Sequence, residues 1–271
     1  MREALAAEIR GLPGWQLSVA ATEPGPDHVL AQPGEAPIDF VRRQALQHDG
    51  VWVIAPETEG WLPRLRAAVP AGVGWLGCTA AAIALAASKR ATVEALAAAG
   101  VPVPRAGLDA GLEAVGRWVS KPDDGAGSVA TRVHTGPMTA PRPGWHHEPW
   151  VDGEALSLSL LCHARETELL SVNRQPVQVL ADGVVQVDLP VPHVLRRDDP
   201  RWPRLDALAQ AVTACLPGLR GFVGIDLVWH AAAGPVVIEV NPRVTSAIVG
   251  LSAALGRPVV PAILQSFLDD V

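Results

Sequence analysis

The run "VVIEVNPRVT", residues 236–245, seats Glu239, Asn241 and Arg243 at every second position of a segment that otherwise reads as an apolar β-strand. Alternate residues of a strand share a face, so an acid, an amide and a cation would project together, with Val237 in their row and Ile238 and Val240 on the other side. The preceding run "FVGIDLVW" pairs with it as an antiparallel hairpin through "HAAAG". A turn centred between Ala232 and Ala233 then puts Asp226 directly across from Glu239. Carboxylates so opposed stand about 5 Å apart at Cβ and repel by roughly 3 kcal/mol at an effective dielectric of about 20. A divalent cation would offset that cost. Two acids and an amide oxygen are hard ligands suited to Mg²⁺, or to Mn²⁺ in its place, whereas zinc prefers nitrogen and sulfur. The competing reading is the wet face of a one-sided hairpin, with the two acids hydrated or one of them protonated.

A magnesium site of this kind is commonly shared with phosphates, and "VSKPDDGAGSVA" supplies groups to hold them. Lys121 ends a short strand, and Gly125, Gly127 and Ser128 form a loop whose amides can approach phosphate oxygens closely. An ordinary hairpin turn is the alternative, since D-G and G-S are common turn pairs. The match of "GAGSVA" to the dinucleotide fingerprint is weak, because "SVATRV" reads as extended where that fingerprint needs a helix. Lys89, in "ASKRATVEALAAAGVPVP", opens an amphipathic helix and taken alone reads as solvated. In "HHEPWVDGEALSLSL", Trp150 and Val151 could wall a planar ring while exposed backbone reads its edge; a plain edge strand is the rival reading. His146 and His147 are adjacent and point apart on a strand, so they share no metal.

These residues require particular elements to carry them. The first 85 or so residues alternate strand-like and helical runs, as a small βαβ layer with a parallel sheet does. Residues 79–99 read as helix with a break near Ser88, an N-cap for the second piece, and Gly100, Pro102 and Pro104 stop it. From about residue 105 short strands with glycine-rich connections indicate antiparallel sheet. A helix in "WPRLDALAQAVTACLPGL", the hairpin, and a last helical region in "AIVGLSAALGRPVVPAILQSFLDD" complete the chain.

Composition narrows the partners. The 271 residues are 49% hydrophobic and 18% charged, with a formal charge of −6, which describes a globular protein able to bury a core. Lys and Arg are scattered, which argues against nucleic acid or an anionic membrane and favours small molecules. Cys78, Cys162 and Cys215 have neither disulfide-framework nor zinc spacing. With no continuous apolar secretion core and no apolar run near 18 residues, a cytoplasmic location is expected.

Taken in order from residue 89 to residue 243, a Lys ahead of "GVPVP", a strand Lys before a Gly/Ser loop, E-x-W-V, and D…E-x-N across a hairpin resemble the ATP-grasp superfamily. Within it, "IAPETEG" (54–60), "NRQ" (173–175) and "EVNPRVTSAIVGL" (239–251) are similar to the tyramine–glutamate ligases of methanofuran biosynthesis and their bacterial relatives. The resemblance implies an α/β (α+β) fold with a short N-terminal βαβ domain over 1–85, a small lobe with the phosphate loop over 86–147, and a C-terminal lobe with the metal site over 148–271. It implies ATP and Mg²⁺ as cofactors. Lys89, Lys121 and Gly125–Ser128 would hold nucleotide phosphates, Glu148, Trp150 and Val151 would form the adenine hinge, and Glu154 would lie near the ribose. Asp226, Glu239 and Asn241 would hold the metal, and Arg243 would face the reacting anion, with Lys121 and Arg243 as the catalytic cations. The activity implied is amide formation between a small carboxylate such as glutamate and an amine, through an acyl phosphate. A homodimer is compatible with it. An ATP-grasp kinase and a nucleotide-binding module without ligase activity are the alternatives. The segment "DLPVPHVLRRDDP" (188–200) has no assigned part, although Arg196 and Arg197 could meet an acidic substrate.

Overall fold

A computed structural model describes residues 1–104 and 116–268. The chain begins with helix α1 (Arg2–Ile9), strands β1 (Val19–Ala21) and β2 (His28–Leu30), helix α2 (Pro37–Ala45), strand β3 (Gly50–Val51), helix α3 (Trp61–Ala68) and strand β4 (Gly74–Trp75). The strands are parallel, as expected, but they form two separate pairs, β1–β2 and β3–β4, and not one sheet. Pro and Gly in "TEPGPD" (22–27) and "AQPGEAP" (31–37) directly follow β1 and β2, each of which ends after three residues.

The expected broken helix follows as α4 (Ala80–Ala86) and α5 (Lys89–Ala98). Thr79 caps the first by accepting from the Ala82 amide, and Ser88 caps the second by accepting from Ala91. Gly100 stops α5 in the left-handed conformation at φ 77°. The expected onset of antiparallel structure near residue 105 falls within 105–115, outside the described residues.

Beyond them lies a three-stranded antiparallel sheet ordered β6 (Arg132–Thr135), β5 (Arg117–Pro122), β7 (Trp145–Pro149). The larger lobe has β8 (Glu154–Cys162), β9 (Thr167–Arg174), the small hairpin β10 (Val177–Val179) and β11 (Val185–Val187), and β12 (Val191–Leu195). Helix α6 (Trp202–Cys215), the hairpin β13 (Gly221–His230) and β14 (Gly234–Asn241), and helices α7 (Leu251–Leu255) and α8 (Val260–Leu268) complete it. Its antiparallel sheet runs β12-β9-β8-β13-β14. The last helical region is thus split in two, and its final residues, 269–271, lie outside the described ones.

The alternation "LSLSL" on β8 sorts the two faces of this sheet. Leu156, Leu158 and Leu160 pack with Ile225, Leu227, Val240 and the apolar faces of α4, α5 and α6 in the main core. On the other face Leu161, Leu170 and Phe222 pack under α1, α7 and α8. That face then turns polar toward the hairpin, through Ser159, Ser157 and Asn173 to Asp226. Asn173 is fully buried; it donates to Ser157 and Ser159 and accepts from Ser171 and the His193 amide.

The hairpin departs from the sequence reading in one respect. Its turn centres on Ala232, so His230 pairs with Gly234 and Leu227 with Val237, and a β-bulge then shifts the register so that Asp226 pairs with Glu239. The expected acid pair therefore forms, but Val237 does not share its side. Val237 lies in the main core, and the extra residue, Ile238, lines the cavity beside Glu239.

Candidate functional site

Between the small sheet and the large one lies a cavity of about 350 Å³. Its walls come from β5, the β7–β8 connection, the start of α5, the β13–β14 hairpin and the β10–β11 hairpin. Lys89, Lys121, Gly125, Ser128, Glu148, Trp150, Val151, Glu154, Asp226 and Glu239 all line it, so ten of the sequence-expected residues converge from positions far apart in the chain. Asn241 and Arg243 do not line it.

The acid pair sits on one wall. Asn241 Nδ2 donates to Asp226 Oδ2 at 3.2 Å, leaving the amide oxygen as an acceptor, and Gln175 also hydrogen-bonds to Asp226. Burial, and then the Glu239 charge, push the Asp226 carboxyl up to about 7. The repulsion inferred from the sequence is thus present. Lys89 Nζ lies 3.1 Å from Glu239 Oε1. Among the described residues no three His, Cys, Asp or Glu side chains converge, so a cation here would rely on two carboxylates, the Asn241 oxygen and atoms of its own ligand. Such hard oxygen donors, short of one countercharge, fit Mg²⁺ or Mn²⁺.

Both lysines are buried where a surface role would leave them exposed. Lys89 is 7% exposed and donates to the Gly125 carbonyl as well as facing Glu239, so the solvated-helix reading of this residue fails. Lys121 is 5% exposed and donates to Glu148 Oε1 at 2.6 Å. Burial opposes the Glu148 charge, but Lys121 and His146, whose Nε2 lies 3.0 Å from Oε2, outweigh it and hold the carboxyl below its usual range. The Glu148 side chain is thus engaged by Lys121 and His146, and Glu148, Trp150 and Val151 line the cavity together. His147 points the opposite way, against Trp118, as the strand alternation requires.

The glycine loop is held from below. Asp123 accepts from Ser88 Oγ at 2.6 Å and from the Arg90 amide at 2.8 Å, tying the β5 exit to the start of α5. The expectation that "SVA" is extended is not met: Ser128 and Ala130 have φ of 58° and 60°, and the strand resumes at Arg132. The turn follows from the glycines leaving no side chains to pack across a pleat, and the absence of a helix there agrees with setting the dinucleotide reading aside. Gly127 supplies a left-handed turn residue at φ 65° but does not itself line the cavity.

On the hinge side, the Arg117 guanidinium lies 4.6 Å from the Trp150 ring centroid, and Trp150 Nε1 donates to Asp152 at 2.7 Å. Gly153 makes the turn into β8; a Cβ there would run into the Trp229 carbonyl. Glu154 accepts from Arg201 at 2.7 Å, so part of its charge is already taken.

Several participants are not among the residues singled out from sequence. Ile238 reaches the cavity through the bulge, which no local pattern announces. Val177, Val179, Val185 and Val187 form an apolar wall from a hairpin that is tied to the small sheet by hydrogen bonds from Val133 to Gly183 and from Val185 to Thr131. Glu57, in "IAPETEG", binds Arg243 through both carboxylate oxygens. Arg196 and Arg197, by contrast, are exposed and pair with Asp198 and Glu168, away from the cavity.

The ATP-grasp domain family matches residues 86–247, and the pre ATP-grasp 3 domain family matches residues 17–83. The tyramine–L-glutamate ligase of Methanocaldococcus jannaschii is 29% identical over 204 residues, 75% of this chain and 58% of that protein. The chain thus spans less than two thirds of the length of this relative. A crystal structure of an ATP-grasp superfamily protein from Archaeoglobus fulgidus is 25% identical, covers 84% of this chain and 69% of its own, and superposes with a TM-score of 0.68. A D-cycloserine synthetase, 18% identical, covers 99% of this chain and 93% of its own with a TM-score of 0.65.

Proposed function

The chain belongs to the ATP-grasp family, and from that premise we propose that it is an ATP-dependent carboxylate–amine ligase, joining glutamate to an aromatic amine such as tyramine. The observation that carries the reading is the pairing of Asp226 with Glu239 in a cavity that also holds two buried lysines. A cavity with acids at one wall, cations between and an apolar slot beyond suits a nucleotide triphosphate: charge at one end, ring at the other. We assign residues 1–85 to the N-terminal domain, 86–147 to the small lobe and 148–271 to the C-terminal lobe; the family matches over 17–83 and 86–247 support the first of these boundaries.

Within this reading Trp150 and Val151 flank the adenine, with the apolar β10–β11 wall across from them. Lys89, Lys121 and the Gly125–Ser128 loop take the phosphates. Asp226, Glu239 and Asn241 hold Mg²⁺ or Mn²⁺. The metal, when bound, neutralises charge on the transferring phosphoryl group. A substrate carboxylate oxygen attacks the γ-phosphorus; the new O–P bond forms as the bond to the β-phosphate oxygen breaks, and ADP leaves. The amine nitrogen then attacks the acyl carbon, phosphate departs with its bonding pair, and the nitrogen loses a proton. No protein nucleophile is required. The chain's contribution is to position the reactants and to place Lys121 and Arg243 where negative charge develops.

The test is ADP release from the purified protein with ATP, Mg²⁺ and L-glutamate, with and without tyramine. Release that requires the amine and liberates free phosphate supports a ligase. Release of ADP without free phosphate identifies a kinase instead, and no release with any pairing of carboxylate and amine leaves only a nucleotide-binding module.

A further inference from the structure

Arg243 is two residues beyond Asn241, and its guanidinium is already half committed. Nε donates to Glu57 Oε1 at 2.9 Å and Oε2 at 3.1 Å, Nη2 donates to Oε2 at 2.9 Å, and Nη1 donates to the Val244 carbonyl at 3.3 Å. Glu57 comes from the N-terminal part of the chain, 186 residues away. The two side chains are 14% and 6% exposed, so water competes little for the pair.

A guanidinium carries five N–H donors in a rigid plane. Glu57 fills the Nε–Nη2 edge, and each Nη keeps one further N–H, along the edge that can meet a second carboxylate or a phosphate in a fork. The same segment also holds the turn before the glycine loop. The Glu59 amide donates to Asp124 Oδ2 at 2.9 Å, next to the glycine loop, and Glu59 itself has φ 55°, a conformation unfavourable for a residue with a Cβ. Residues 57–59 therefore bridge the arginine of the hairpin and the turn that carries the phosphate loop.

We propose that Glu57 is a positioning residue for the ligase reaction: it fixes the plane of Arg243 so that its remaining edge faces the substrate carboxylate and the acyl phosphate derived from it. This rests on the ligase reading above. It adds a role for an acid of the N-terminal part of the chain that does not line the cavity.

The experiment pairs steady-state kinetics with ¹⁵N NMR of the Arg243 Nε–H group, using full-length protein, ATP, Mg²⁺, L-glutamate and tyramine. The Glu57→Gln variant should lower kcat by up to about 100-fold, the scale of a small misplacement at a reacting centre, with KM for ATP unchanged. Glu57→Asp, which keeps the charge, should recover part of the loss. Glu57→Gln combined with Arg243→Lys should be no slower than the slower single variant. The Nε–H signal should exchange slowly in the wild type and shift in Glu57→Gln. An unchanged kcat in Glu57→Gln, multiplying effects in the double variant, or an unshifted Nε–H signal would overturn the proposal. If the wild-type protein itself releases no ADP, the ligase reading falls and the catalytic role with it, and the NMR signal still decides whether the pair exists.

Discussion

Asp226 and Glu239 face each other across the β13–β14 hairpin because one extra residue, Ile238, is inserted between Val237 and Glu239. Without that bulge the register of the turn would place Asp226 against Ile238, and Glu239 would fall on the core side of the sheet. The acid pair is thus built by a local defect in the ladder, of the kind often found next to reacting groups.

The pair is held against its own repulsion, so Asp226→Asn should stabilise the metal-free protein while removing its activity. Asn241 and Gln175 can still hydrogen-bond to the amide that replaces the carboxylate. At roughly 3 kcal/mol of repulsion or less, the melting temperature in EDTA should rise by about 2–10 °C. Calorimetry of both proteins, with ADP release measured beside it, checks the two effects together.

The same pair gives a pH dependence with a definite sign. Burial and the Glu239 charge raise the Asp226 carboxyl to about 7 in the folded protein from an ordinary 3.8 when unfolded, so the folded state binds the extra proton between those values. Its contribution to stability is full below about pH 4 and is lost as pH rises through 7. In EDTA the wild type should therefore lose more stability between pH 5 and pH 8, roughly the range set by that shift, than Asp226→Asn does. Millimolar Mg²⁺ should flatten the difference. Urea titrations across pH read it directly.

Much of this site is legible in the sequence, and what is not has a common cause. The Asp226–Glu239 pairing is reached in the sequence through a turn centred between Ala232 and Ala233 and not through the bulge that makes it, whereas the cap at Ser88 and the opposed faces of His146 and His147 are local consequences of period and spacing. The bulge at Ile238 is not, because "VVIEV" fits either register equally well. Nor is the burial of Lys89, whose helix start looks solvent-facing until β5 and the hairpin close over it. The Lys121–Glu148 and Glu57–Arg243 pairs join residues from different elements, and composition contains no signal for such partners. The splitting of the N-terminal layer into two strand pairs reflects prolines and glycines that were visible, but whose effect on sheet continuity depends on packing.

Glu148 is buried with Lys121 and His146, so its removal leaves an uncompensated cation. Glu148→Gln should destabilise the protein by about 3–5 kcal/mol, the usual cost of breaking a buried pair from one side. A nucleotide would restore negative charge beside Lys121, so saturating ATP should recover more stability in this variant than in the wild type. Paired urea melts with and without ATP measure that difference; equal ATP effects in both proteins would mean that Lys121 does not face the phosphates.

The most direct measurement is turnover of Glu239→Gln under saturating ATP, Mg²⁺, glutamate and tyramine, alongside its melting curve. The replacement keeps the size and hydrogen-bonding capacity of the side chain but removes the charge that, with Asp226, would hold the metal. Loss of a contact that stabilises the transferring charge costs about 10²–10³ in kcat, so ADP release should fall by at least that factor while a cooperative melt shows that the fold is intact. A Glu239→Gln protein that still forms amide at the wild-type rate would contradict the assignment of this hairpin as the metal-bearing centre of a ligase.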